Sequence, residues 1–254
     1  MPMVDRDGVK IHYEVAGSGP AVLITHGYSS SAKAWEGQVA ALQDRYKVIT
    51  WDMRGHAGSD SPDDPARYSE AHTVEDIAAV LRACGESRAV ISGLSLGGYM
   101  TLAFHLAHPE MTRAIMLFDC GPGYKNPQAR DGWNQTSEQR AVNFETKGLT
   151  AMGSSPEVKI SVHRSAQGLA NAARGMLKQF DARAIESLEH IHVPALVLVG
   201  ENDTPFLNAS DYMAKKIPGA VFVKVPDAGH AANIDNPDYF NRAVAEFLAS
   251  LPAV

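Results

Sequence analysis

Cysteine and long hydrophobic runs are both scarce in this sequence. The 254 residues include only two cysteines, Cys84 and Cys120, which excludes a disulfide framework. The longest purely apolar stretches, such as 195–199, are far shorter than the roughly 20 residues that span a bilayer. No apolar segment follows the first charged residues of the chain, as it would in a secretory signal peptide. We therefore expect a cytoplasmic protein without a membrane anchor.

Positive charge is also in short supply. Lysine and arginine total 23 against 29 aspartate and glutamate residues, so the formal net charge is -6. Because a nucleic-acid partner requires basic side chains that neutralise phosphates, this balance argues against DNA or RNA binding. Hydrophobic residues make up 45% and charged residues 20%, as in ordinary globular proteins. Composition thus predicts a globular chain with a buried core and leaves the oligomeric state open.

Short β-branched runs bounded by glycine, proline or aspartate predict the strands of one sheet. Their residues are apolar at consecutive positions, which is typical of parallel strands buried on both faces. Segments with helical spacing lie between them, so most connections should be helical crossovers. Residues 9–16 alternate instead, and we expect them to form an antiparallel hairpin strand at the sheet edge. The other predicted strands are 21–25, 47–51, 89–92, 114–118, 195–199 and 221–225, and the predicted helices are 32–43, 73–84, 96–107, 208–217 and 237–250.

The strand pattern is interrupted between about 121 and 192. This interval contains polar stretches with helical spacing at 137–147, 156–173 and 182–190. Because strands resume at Val193, an inserted helical lid is a simpler interpretation than a separate domain. The prediction is an α/β fold with a mostly parallel twisted sheet flanked by helices. Residues 1–120 and 193–254 would form its core, and 121–192 its lid.

A glycine-rich turn at 93–98, Gly-Leu-Ser-Leu-Gly-Gly, connects a predicted strand directly to a predicted helix. A serine on such a turn has a strained backbone that lifts its hydroxyl clear of the sheet, and bulkier neighbours than glycine would collide. The N-terminus of the following helix favours an oxyanion beside Ser95. A helix-capping serine is the alternative interpretation. The strand before the turn and the helix after it favour a nucleophile.

A serine nucleophile needs a base, and for this geometry the base is a histidine oriented by a carboxylate. Among ten histidines, His230 follows the last predicted strand in a turn and precedes a helix. Asp203 lies on the loop after the preceding strand, at the same carboxyl edge of the sheet. Asp119, at the end of another strand, is a rival for the carboxylate. Glu201 and Asp227 are less favoured because the acid must extend along its loop toward the imidazole.

The chain order Ser95, Asp203, His230 resembles that of the α/β-hydrolase superfamily. From about Val9 to Leu251 the chain is similar to lidded esterases and lactonases of that family. Residues 25–28, Thr-His-Gly-Tyr, resemble the family's oxyanion loop. The resemblance implies that the backbone N–H groups of Tyr28 and Leu96 hold the oxyanion. Residues 52–59 resemble the family's Asp-x-Arg-Gly-x-Gly-x-Ser stretch, with one extra residue between the glycines, and are expected to brace the loop.

A serine at the nucleophile position favours acyl transfer, whereas dehalogenases and epoxide hydrolases of this fold carry aspartate there. We expect a serine hydrolase that cleaves carboxylic esters of small or medium substrates through an acyl-enzyme, without a cofactor or metal. A lactonase, a carbon–carbon bond hydrolase and a non-catalytic ligand-binding receptor remain alternatives. Residues 121–190 carry 9 basic and 7 acidic side chains. This small positive excess predicts a slight preference for anionic or polar acyl substrates. Apolar residues of the lid and loops could line the substrate pocket: Trp133, Phe144, Met152, Met176, Phe180 and Phe206.

Overall fold

Eight strands form a single sheet in the computed structural model, which describes residues 2–252. The strands are β1 (Met3–Arg6), β2 (Val9–Ala16), β3 (Ala21–Thr25), β4 (Lys47–Trp51), β5 (Ala89–Leu94), β6 (Thr112–Phe118), β7 (Ala195–Gly200) and β8 (Val221–Val225). They lie in the order β1-β2-β4-β3-β5-β6-β7-β8. The β1–β2 and β2–β4 pairs are antiparallel, and the other pairs are parallel. The predicted α/β fold is confirmed; residues 1, 253 and 254 of the predicted core lie outside the described residues.

Ten α-helices connect or follow these strands in the described part of the chain. They are α1 (Glu36–Leu42), α2 (Glu70–Ala83), α3 (Leu96–Ala107), α4 (Pro127–Lys147), α5 (Pro156–Lys159), α6 (Ala166–Ala172), α7 (Arg183–Glu186), α8 (Thr204–Lys216), α9 (Ala232–Asp235) and α10 (Pro237–Ser250). None of the helices within residues 2–252 is both long and apolar enough to cross a membrane.

Residues 121–192, which we call the helical segment, contain α4 to α7 and no strand. Helix α4 begins ten residues before the predicted start because Asn126 caps it, accepting hydrogen bonds from the N–H groups of Gln128 and Ala129. The single helix expected over 156–173 is instead divided into α5 and α6. The interpretation of the helical segment as a lid stays a prediction.

Side chains of the sheet enter two apolar layers because they alternate along each strand. Leu117 packs in the layer that includes Phe104 of α3, whereas the adjacent Phe118 packs in the opposite layer with Phe240 of α10. Strand β8 lies at one edge and is partly exposed, and β1 lies at the other. The expected hairpin at residues 9–16 is present, but its expected position at the edge is wrong because β1 covers β2.

The parallel strands place the loops of interest on one side of the molecule. The carboxyl ends of β3, β5, β6, β7 and β8 all point to the same edge of the sheet. In open α/β sheets this edge is where ligands bind. The loops after β3, β5, β7 and β8 carry Tyr28, Ser95, Asp203 and His230, respectively.

Candidate active site

Ser95 occupies the sharp turn between β5 and α3. Its φ of 55° and ψ of -115° lie in a region that L-residues with side chains rarely adopt. Every residue from Ala89 to His105 is buried except Ser95. The turn therefore presents a single hydroxyl-bearing side chain at the surface of an otherwise buried strand and helix.

Two glycines make this turn possible. A Cβ atom on Gly93 would lie 2.3 Å from the carbonyl carbon of Gly97, and a Cβ on Gly97 would lie 2.4 Å from the carbonyl oxygen of Thr25. Both distances are well inside van der Waals contact, so no side chain fits at either position. The same steric reason makes glycine the expected residue at both positions from the sequence of the turn.

His230 and Asp203 form a hydrogen-bonded pair. The Nδ1–H of His230 donates to Oδ2 of Asp203 at 2.8 Å. The side chain of Asp203 is buried, whereas 31% of the His230 side chain is exposed. The Phe206 ring stacks on the His230 ring, with centroids 5.0 Å apart and an interplanar angle of 25°. The imidazole is thereby held on two sides, and a donating Nδ1 leaves Nε2 as the proton acceptor.

The loop after β3 lies against the turn that carries Ser95. A Cβ on Gly27 would lie 3.4 Å from the Cβ of Ser95. Within residues 2–252, neither the N–H of Tyr28 nor that of Leu96 donates to another protein group. The hydroxyl of Tyr28 donates to the carbonyl of Leu169 in α6 at 2.8 Å, which ties this loop to the helical segment. Both expected oxyanion donors are thus free to bind a ligand.

Three buried histidines support the same loop. The Nε2 of His26 accepts from the N–H of Met53, and its Nδ1–H donates to the carbonyl of Gly27. His56 accepts from the N–H of Ser29 and donates to a backbone carbonyl. His163 uses its two nitrogens in the same way. One donor and one acceptor on each ring define neutral imidazoles, and burial lowers the pKa of all three, that of His26 to about 4.

The segment after β4 has the bracing role expected from its sequence. Asp52 accepts hydrogen bonds from the ring of His12 and the N–H of Ala32. Arg54 is buried and donates two hydrogen bonds to the carboxylate of Asp76, at 2.7 and 2.6 Å. These charges therefore hold loops together around the site.

Asp119, the rival carboxylate, lies near Asp203 and is not paired with His230. Its Oδ1 accepts from the N–H of Gly200 at 2.7 Å, and its buried Oδ2 has no hydrogen-bond partner within residues 2–252. Burial, followed by the negative charge of Asp203, raises the pKa of Asp119 well above its ordinary value. The imidazole partner is thus Asp203, and Asp119 lies behind it.

Two cavities meet at Ser95. The larger, of about 600 Å³, is lined by Ser95, Asp203 and His230 together with Tyr28 and residues of the helical segment. The smaller, of about 220 Å³, is mainly apolar and extends from Ser95 toward Tyr99 and Ala209. A ligand whose reacting atom lies at Ser95 can therefore extend in two directions.

The structure brings three of the six expected pocket residues to these cavities. Trp133 and Phe206 line both, and Phe144 lines the larger one. The other three do not lie on either wall: Met176 is fully buried in the core, Met152 packs against the core, and Phe180 is 68% exposed. Apolar character alone does not distinguish a residue facing a cavity from one facing the core.

Several polar residues of the larger cavity have no place in the sequence analysis. Arg140, Asn143, Ser155 and Glu157 all line it. The sequence signal that could have indicated them is the three-residue spacing of Arg140 and Asn143, since it places both on one face of a helix.

Among residues 2–252, no group of three His, Cys, Asp or Glu side chains could hold a metal ion.

Comparisons with known proteins agree with this geometry. The model of the alpha/beta hydrolase family matches residues 21–243. The chain belongs to the alpha/beta hydrolase family.

Three known proteins illustrate the range of this hydrolase's relatives. It is 29% identical to a Bacillus subtilis (strain 168) protein with the provisional name 2-succinyl-6-hydroxy-2,4-cyclohexadiene-1-carboxylate synthase, over 96% of this chain and 97% of the other. It is 26% identical to 3-oxoadipate enol-lactonase 1 of Acinetobacter baylyi, over 98% and 97%. Its structure is similar to that of a malate-bound thermophilic esterase of Thermogutta terrifontis, with a TM-score of 0.81, 25% identity and coverage of 98% and 97%.

Proposed function

We propose that this hydrolase cleaves carboxylic esters of small or medium size through an acyl-enzyme formed on Ser95. The observation that carries the proposal is the placement of Ser95, His230 and Asp203 on the wall of one cavity. The half-buried serine on an otherwise buried turn supplies the nucleophile, and the paired imidazole supplies the base. A receptor would need the cavity but not this arrangement of hydroxyl, imidazole and carboxylate.

In the first half of the reaction, the hydroxyl oxygen of Ser95 attacks the ester carbonyl while Nε2 of His230 accepts its proton. The carbonyl oxygen becomes an oxyanion that receives hydrogen bonds from the N–H groups of Tyr28 and Leu96. A single donor of this kind stabilises a transition state by about 2.7–4 kcal/mol. The alcohol then leaves with the proton from Nε2, and the acyl group stays on Ser95.

In the second half, water attacks the acyl-enzyme and gives its proton to His230. The tetrahedral intermediate collapses, the acid is released, and the proton returns to the oxygen of Ser95. Asp203 stays ionised throughout, fixes the tautomer of His230 through the 2.8 Å hydrogen bond and stabilises the imidazolium.

Lactone hydrolysis is the second candidate, because two relatives of comparable length are named 3-oxoadipate enol-lactonases. A lactone is a cyclic ester, so the same attack opens the ring and the alcohol remains attached to the acyl group. Carbon–carbon bond cleavage is less favoured, since it needs a carbanion rather than an alkoxide to leave.

The Ser95→Ala variant tests the proposal. Loss of the nucleophile should lower kcat for p-nitrophenyl acetate and butyrate by roughly 10⁴- to 10⁶-fold. It should also abolish covalent labelling by a fluorophosphonate, measured by intact-protein mass spectrometry. A folded variant that keeps either activity or labelling would contradict the assignment of Ser95.

A substrate panel separates the two candidates. Rates on matched pairs of a lactone and its open-chain ester would be compared in the wild type, with release of acid followed by a pH indicator. Faster turnover of open-chain esters supports the leading proposal, and faster turnover of lactones supports the second. No turnover of either by a protein that binds them would favour a receptor.

A further inference from the structure

We propose that Arg140 and Asn143 form a subsite for a carboxylate group on the substrate, on the wall of the larger cavity. This inference rests on the proposed function for the position of the reacting carbonyl at Ser95. The substrate class that follows is an ester or lactone that carries a free carboxylate in addition to the bond that is cleaved.

Arg140 differs from every other arginine of the helical segment. Arg130 and Arg164 donate to backbone carbonyls, Arg174 pairs with Glu138 and Glu145, and Arg183 pairs with Asp181 and Glu70. Within residues 2–252, no carboxylate lies within 4.0 Å of the Arg140 guanidinium, and it donates no hydrogen bond.

Arg140 is also the one arginine among these five that lines the cavity with Ser95 and His230. Its guanidinium carbon lies 6.0 Å from the centre of the Tyr28 ring, within the range of a cation–π contact. Since Tyr28 belongs to the loop beside Ser95, this contact orients the cation along the wall that leads to the reacting centre. Five guanidinium donors are then available to a planar anion.

Asn143 adds a neutral donor beside this cation. It follows Arg140 by three residues on α4, so both side chains lie on one face of the helix, and both line the cavity. Its Oδ1 accepts from Gln139, which leaves its Nδ2 group free to donate. A cation and an amide donor side by side match the two oxygens of a carboxylate better than they match a cation or an apolar group.

Glu157 is the one acidic residue besides Asp203 that lines the cavity. Its negative charge would repel a bound anion. Its carboxylate is buried and accepts a hydrogen bond from Ser155 at 2.5 Å, whereas Arg140 is exposed. The pairing of Ser155 with Glu157 also removes Ser155 as a donor to the ligand. A ligand ammonium group recruited by Glu157 is therefore the competing outcome, and the test includes it.

The test measures binding without turnover, so that it does not depend on catalysis. Three phenyl alkyl ketones of equal chain length, ending in a carboxylate, a primary amide or a trimethylammonium group, would be titrated into the Ser95→Ala protein by calorimetry. We expect the carboxylate ketone to bind about tenfold more tightly than the amide, as expected for a charge-assisted hydrogen bond. The advantage should shrink as salt is raised from 20 mM to about 500 mM, because the cation is exposed.

Arg140→Gln in the Ser95→Ala background should abolish this advantage, and Arg140→Lys should keep part of it because the charge remains. The matched control is Lys147→Gln, which removes one positive charge from the same exposed helix, two turns away and outside the cavity. Equal affinity for all three ketones, tighter binding of the ammonium ketone, or an equal effect of Lys147→Gln would overturn the proposal. Failure of ester turnover in the wild type, with the carboxylate preference intact, would overturn only the proposed function.

Discussion

The pKa of Asp119 is determined by the residues around it. A buried carboxylate next to the ionised Asp203 would face both desolvation and like-charge repulsion, which is why the pKa of Asp119 is raised. Burial also raises the pKa of the adjacent Cys120 thiol, and the charge of Asp203 adds to this effect. Asp203 is therefore the aspartate that accepts from His230, and Asp119 is held in the neutral form by its surroundings.

Two substitutions separate the roles of the Asp119 carboxyl. Asp119→Ala leaves the N–H of Gly200 without an acceptor and should lower the free energy of unfolding by about 1–3 kcal/mol. Asp119→Asn keeps an oxygen that can accept from Gly200, so it should lose less. Urea denaturation at pH 7 measures both values. Equal losses in the two variants would argue against hydrogen bonding as the cause.

The pH dependence of the same pair has a definite sign. A carboxyl whose pKa is higher in the folded state stabilises the fold fully below its unfolded pKa, and this contribution is lost as pH rises through the folded value. The stability of the wild type relative to Asp119→Asn should therefore fall as pH rises from about 4. Urea denaturation of both proteins between pH 4 and 8 tests this, and a constant difference would contradict it.

At the scale of elements, the three histidines connect the loop after β3, the loop after β4 and the chain before α6. His163 donates to the carbonyl of Ser29 and accepts from the N–H of Ala57, so one ring joins the helical segment to both loops. Protonation would turn each acceptor nitrogen into a donor that faces an N–H group. The hydrogen bond from the N–H of Ser29 to His56, on the loop that carries Tyr28, thus exists only with a neutral imidazole.

Acid should weaken this connection. Since burial lowers the folded-state pKa of these histidines, the unfolded state binds more protons below about pH 6.5, and their contribution to stability is lost as pH falls. For His26, whose pKa is about 4, the loss between pH 7 and pH 4 is about 3 kcal/mol. His163→Gln should flatten the dependence of unfolding free energy on pH, whereas the exposed His192→Gln should not. Parallel curves for the wild type and His163→Gln would refute this origin.

The elements differ in how well the sequence predicts them, for physical reasons. Strands β3 to β7 carry consecutive apolar residues because both faces are buried, and their predicted bounds agree with the structure to within two residues. Strand β1 is short and half-exposed, so it has no such pattern. The predicted start of helix α4 lies too far along the chain, because the true start depends on the Asn126 cap and not on apolar spacing. The position of Ser95 can be predicted from the glycines around it. That of Arg140 cannot, since an arginine on a helix gives the same sequence pattern whether it faces solvent or a cavity.

At the scale of the whole molecule, the parallel sheet determines where the site lies. Six parallel strands end at one edge, and residues of the helical segment between β6 and β7 line both cavities together with Ser95. The smaller cavity is bounded by Tyr99 of α3 and Ala209 of α8, two helices that pack on the core. Its apolar walls suit an unbranched acyl or alkyl chain, and the larger cavity suits the polar remainder of the substrate.

Filling the smaller cavity should therefore change selectivity for chain length. Ala209→Phe places a ring in a volume of about 220 Å³, so kcat/KM for p-nitrophenyl hexanoate should fall by about tenfold or more, because buried methylene groups lose their contacts at about 0.8 kcal/mol each. The value for the acetate, which does not reach Ala209, should change by less than about twofold. Ala209→Ser, which keeps the volume, serves as the control. Equal loss of activity toward the two esters would mean that the chain lies in the larger cavity and the polar part of the substrate in the smaller one.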